Sequence, residues 1–92
     1  MVNLKEVSNF CTMVSHNFGA RFNSTRTMRG VNVVGEFYTR TGQHITLMLD
    51  VDQNSIKTKV YNPQRRLIYN DSTKSIMSNN ALLGFLQKTY AS

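Results

Sequence analysis

The stretch His44-Ile45-Thr46-Leu47-Met48-Leu49-Asp50-Val51 alternates without a break: Ile45, Leu47, Leu49 and Val51 fall at one parity, and His44, Thr46, Met48 and Asp50 at the other. Successive strand side chains point to opposite faces, so this pattern predicts a strand with an apolar, core-facing side and a polar side. The next run, residues 56–61, repeats the division. It places Ile56, Thr58 and Val60 on one side and Lys57, Lys59 and Tyr61 on the other. The shared polar side is expected to be wholly or partly open.

Working outward, residues 31–40, 43–51, 56–61 and 66–70 are rich in β-branched and aromatic residues and are separated by turn signals. Thr41-Gly42 closes the first hairpin, Asp52-Gln53-Asn54-Ser55 the second and Asn62-Pro63-Gln64 the third. Pro63 has no amide to donate and favours a turn over a central strand. Connections this short join antiparallel neighbours, which predicts a four-stranded meander.

Helical spacing flanks the sheet. Leu4, Val7, Phe10, Cys11, Val14 and Phe18 recur every three to four residues and predict a helix over 4–17. Asn3 is its expected N-cap, Glu6 stands at the reciprocal capping-box position, and Gly19 suits the left-handed residue past its end. A second helix is expected from Ser78 as N-cap, with Met77 stapled to Leu82 and an apolar stripe of Leu82, Leu83, Phe85, Leu86 and Tyr90. Gly84 weakens it by about 1 kcal/mol relative to alanine. Residues 19–30, with three arginines among small polar residues, read as a loop or a short edge strand over 20–25. The predicted fold class is α+β: one domain over residues 1–92, with an N-terminal helix, a four-stranded antiparallel β-meander and a C-terminal helix packed on one sheet face.

Charge gives the functional reading. The 92 residues carry a net charge of +6, and no acidic residue occurs between Glu6 and Glu36 or between Asp52 and Asp71. Those gaps hold Arg21, Arg26 and Arg29 in the first and Lys57, Lys59, Arg65 and Arg66 in the second, seven of the eleven lysines and arginines. Arginine grips phosphate through paired hydrogen bonds or stacks on a base, and lysine adds a mobile point charge. Phe22, Tyr61 and Tyr69 lie among these residues, where exposed rings would stack unpaired bases. A basic, aromatic sheet face suits splayed RNA bases. Neither helix has a basic face suited to the DNA major groove.

The expectation is a non-enzymatic nucleic-acid-binding protein, RNA favoured over DNA, that contacts the phosphate backbone through Arg21, Arg26, Arg29, Lys57, Lys59, Tyr61, Arg65 and Arg66. A small domain gains stability by covering an open sheet edge, so a homodimer is also expected. In size, basicity and Asn/Thr-rich loops the chain is similar to small accessory proteins of tailed phages. That resemblance implies an alternative, an inhibitor bound to a host nucleic-acid-processing enzyme such as a ribonuclease toxin. A structural or assembly role is the third reading.

Other chemistries have less behind them. Cys11 and His16 are five positions apart on one helix and do not face each other, and His44 has no sequence neighbour to pair with. Asp50-Val51-Asp52-Gln53-Asn54 begins like a calcium loop, but Ser55 stands where glycine is required and Tyr61 where glutamate is. One cysteine and two separated histidines make no local zinc site, and no cofactor is expected. No apolar run approaches the roughly 20 residues of a membrane span. With a single cysteine and no secretory-type apolar N-terminus, the reading is an intracellular, cytoplasmic protein, in the host cell's cytoplasm if the chain is viral.

Overall fold

The computed structural model describes residues 2–92. Its elements run α1 (Leu4–Phe18), β1 (Arg21–Arg26), β2 (Val31–Tyr38), β3 (His44–Val51), β4 (Ile56–Tyr61), β5 (Leu67–Thr73) and α2 (Asn80–Ala91). The strands form one antiparallel sheet in the order β1-β2-β3-β4-β5. The α+β class and both helices match the sequence expectation, but the sheet has five strands, not four. The added strand is the arginine segment, paired along its whole length from Arg21↔Glu36 to Arg26↔Val31.

The added strand is held by β2. Phe22 sits opposite Gly35, and a side chain at Gly35 would run into the Phe22 ring. An absent Cβ on the neighbouring strand thus makes room for the one large apolar residue of β1. The other five β1 side chains are exposed.

Alternation in β3 and β4 is as expected. Ile45, Leu47, Leu49, Val51, Ile56 and Val60 are buried, and both helices cover this face. Phe10 and Val14 enter it from α1, Leu82 and Leu86 from α2, and Phe37 from β2. Removing one such side chain to alanine costs about 2–5 kcal/mol, so this face carries much of the stability. Phe18 closes one end of the layer, with ring centroids 5.5 Å from Phe37 and 5.1 Å from Tyr90.

Helix caps explain where the helices sit. Asn3 caps α1 by accepting from the amides of Lys5 and Glu6 at 3.0 and 3.3 Å, and Gly19 ends it with a φ of 67°. Glu6 does not close a capping box. Its Oε1 instead accepts from the Ser75 hydroxyl at 2.6 Å and the Met77 amide at 3.0 Å, pinning the start of α1 to the β5–α2 connection. The N-cap of α2 is Asn79 and not Ser78: the Asn79 Oδ1 accepts from the Leu82 amide at 3.1 Å. One residue of displacement also removes Met77 from the staple position, and Met77 is exposed.

Both helices start at the sheet end that carries the β1–β2 and β3–β4 turns. The Val2 amide there donates to Gln53 O at 2.9 Å. Both finish at the opposite end, where the Arg40 amide donates to Tyr90 O at 3.0 Å. They run parallel to each other over one face, and the other face carries no helix.

Candidate nucleic-acid interface

Cross-strand register assembles the open face row by row. One row reads Arg21–Glu36–Thr46–Tyr61, the next Asn23–Val34–Met48–Lys59–Asn70, and the third Thr25–Asn32–Asp50–Lys57–Ser72. Lys57, Lys59 and Tyr61 therefore project together, because β4 alternates and its other parity is buried.

Two concavities lie on this face. The first, about 490 Å³, is walled by Lys57, Lys59 and Tyr61 and by Met28 and Arg29 of the β1–β2 turn, with Met48 on its floor. The second, about 380 Å³, is bounded by Arg65 and Pro63 of the β4–β5 turn, His44 and Glu36. Tyr61 and Met48 line both, so the two hollows form one groove that crosses the sheet from the 27–30 turn to the 62–66 turn.

The arginine segment and the basic hairpin thus converge through Arg29, Lys57, Lys59, Tyr61 and Arg65. Arg21 belongs to the same face at its β1 edge. Arg26 does not. It lies in the row Arg26–Val31–Val51–Ile56, whose parity is that of the helix-covered side. Arg66 is exposed beyond the groove and is held by its backbone, its amide donating to Asn62 Oδ1 at 2.9 Å.

Aromatic placement corrects the sequence reading further. Phe22 lies on the helix side over Gly35. Tyr69 is also on that side: its ring packs 4.8 Å from Phe85 and its hydroxyl donates to Asp71 Oδ2. Desolvation and this carboxylate push the Tyr69 hydroxyl up to about 12. Neither ring is available to a base on the open face. Tyr61 is half-buried on that face, and the exposed ring there is Tyr38, whose centroid is 5.2 Å from that of His44. His44 is not isolated, because its Nε2 lies 3.2 Å from Glu36 Oε1.

No match was found to a protein-family model, a curated protein or a solved structure. The site rests on its own geometry.

The groove is also less purely basic than the sequence gaps implied. Sheet pairing sets Asp50 directly opposite Lys57. Asp50 and Asp52 line the first hollow and Glu36 the second. Asp52 serves its turn as well, since its Oδ1 accepts from the Asn54 and Ser55 amides at 2.8 and 2.7 Å. These bonds hold its carboxyl below the ordinary value, so it stays ionised in the groove. Met48 is a half-buried floor residue of this face. The alternation of 44–51 already placed it there. Burial pushes the Cys11 thiol up to about 11, leaving it protonated near neutral pH.

Proposed function

We propose that the chain binds single-stranded nucleic acid in the groove on its helix-free sheet face, with RNA preferred to DNA. The observation that carries this reading is the ring of Arg29, Lys57, Lys59 and Arg65 around an apolar and aromatic floor of Met48 and Tyr61. The cations face phosphates while Tyr61 stacks a base, a division of labour common to single-strand-binding sheets. Asp50, Asp52 and Glu36 supply acceptors for ribose hydroxyls and base amino groups, which supports RNA over DNA and a preference for particular bases. Duplex binding is disfavoured, because α1 and α2 carry one lysine each, Lys5 and Lys88, and present no basic face to a major groove.

Filter binding of the purified protein to single-stranded RNA, single-stranded DNA and duplex RNA at two salt concentrations tests the proposal. Four phosphate contacts predict that log K falls against log salt with a slope of about −3, at roughly 0.7 per contact on a single strand. Lys57→Glu with Lys59→Glu should weaken binding by about tenfold or more and flatten the slope by about 1.4. Arg26→Ala should leave both unchanged. Absence of RNA binding at low salt would sink the proposal.

A further inference from the structure

A second surface lies along the free edge of β1 and shares only Arg21 with the open face. Strand β1 is a sheet edge, its partner β2 lies on one side only, and its six-residue pairing runs without a register shift. The other edge, β5, is joined to its neighbour through an irregularity at Val60/Tyr61. Such irregularities blunt an edge, whereas a regular, unpaired edge accepts another strand.

The β1 backbone is oriented for this. The Thr27 amide donates to Gly30 O at 2.9 Å at the turn. Counting back along an antiparallel ladder from that bonded pair, Thr25, Asn23 and Arg21 direct their amides and carbonyls to β2. Phe22, Ser24 and Arg26 therefore direct theirs outward. Beside this edge an apolar trough of about 290 Å³ separates β1 from α1, lined by Leu4, Val7, Cys11, Phe22, Val31 and Val33 among others. Leu4 is exposed at its rim.

Charge selects the occupant. Arg21 and Arg26 stand at the two ends of β1, and among the described residues neither guanidinium forms a salt bridge. A second copy paired antiparallel through β1 must set residues of like parity opposite one another, so with Ser24 facing Ser24 each Arg26 meets the other copy's Phe22 and each Arg21 its Thr27, and no carboxylate reaches either arginine. An extended segment with acidic residues at these two positions meets both cations instead.

We infer that β1 and the α1 trough form a docking site for an extended acidic peptide of a partner protein, which adds as a sixth strand. Register gives the pattern: an acidic residue opposite Arg21, an apolar one opposite Phe22, any residue opposite Asn23, an apolar one opposite Ser24, any residue opposite Thr25 and an acidic residue opposite Arg26. The two apolar side chains share the parity of Phe22 and enter the trough.

The probe is a capped hexapeptide with glutamate at its two ends, valine at the positions facing Phe22 and Ser24, and threonine elsewhere. It is titrated into the isotopically labelled full chain and followed by amide chemical shifts. The expected result is perturbation of β1 and of the α1 face at Leu4, Val7 and Cys11, with the amides of Lys57 and Lys59 unmoved. Replacing both glutamates by lysine should weaken binding roughly fivefold or more. Arg26→Glu should weaken the glutamate peptide and favour a peptide with lysine at that end, a reversal that loss of folding would not produce. Ser24→Pro removes one outward amide without touching the β1–β2 ladder and should cost roughly tenfold. The inference is overturned if the peptide leaves β1 unperturbed, if both peptides bind equally, or if the chain is a dimer whose β1 amides are already protected.

Discussion

Arg65 has a backbone φ of 61°, and among the described residues it is the one non-glycine in the left-handed region. It completes the β4–β5 turn, where its amide donates to Asn62 O at 2.9 Å. Hairpin turns of this kind place glycine at that point, and a side chain there costs about 1 kcal/mol. The same side chain borders the groove beside Pro63 and Tyr61. Strain of this sort tends to persist where a side chain is needed. Arg65→Gly is therefore expected to raise stability by about 0.5–1 kcal/mol in urea denaturation while lowering affinity for single-stranded RNA. A variant that is destabilised, or that binds RNA as well as the parent, contradicts this account. Pro63 made the turn legible in the sequence. The left-handed residue two positions later was not, because arginine carries no signal for that conformation.

At the scale of elements, the two helices are coupled through one carboxylate. Glu6 accepts from Ser75 and from the Met77 amide, and these bonds lower its pKa from the ordinary 4.5. Asp52 is lowered from 3.8 by the amides of its own turn. A lowered folded pKa means that the unfolded chain takes up protons first as pH falls. Stability from both groups is thus fully present above their ordinary values and is lost as pH drops below about 4.5 through the carboxylate range. Glu6→Gln should cost stability at neutral pH, and its melting temperature should approach that of the parent as pH falls toward 3, a convergence that thermal melts across this range would reveal. A constant offset would overturn the role given to Glu6. The α2 start makes a separate prediction. Asn79 accepts from Leu82 and donates to Asp71 Oδ2 at 2.8 Å, so Asn79→Ala should cost about 1 kcal/mol or more in urea denaturation and Ser78→Ala much less. Local rules place a capping box at Asn3 and Glu6 because they see four residues at a time. The true partners of Glu6 lie 69 and 71 positions away. Residues 21–26 read as a loop or a short edge strand, left undecided for a related reason: five polar side chains hide a strand whose support is Gly35 on the neighbouring β2.

For the whole molecule, alternation in 44–51 and 56–61 was enough to separate a core face from an open one, and Lys57, Lys59 and Tyr61 fell on the correct side. Spacing along the chain could not tell that Asp50 would stand beside Lys57, that Arg26 would turn toward the helices, or that Met48 would floor a groove. Those facts depend on register between strands, which adjacent residues do not encode. Register also distributes charge along the strand axis. The sheet end bearing the 39–43 and 62–66 turns carries Arg21, Arg40, Arg65 and Arg66, with Glu36 as the carboxylate of that region. Glu6, Asp50 and Asp52 lie toward the end where both helices begin, among Lys5, Arg26, Arg29, Lys57 and Lys74. Glu6, in the first turn of α1, also suits the positive start of that helix. The carboxylates offset part of the positive charge at that end, so the larger excess stands at the Arg65 turn. On the proposed function, an approaching polyanion is biased toward the Arg65 turn, from which the groove leads to Arg29, so the encounter itself has a direction.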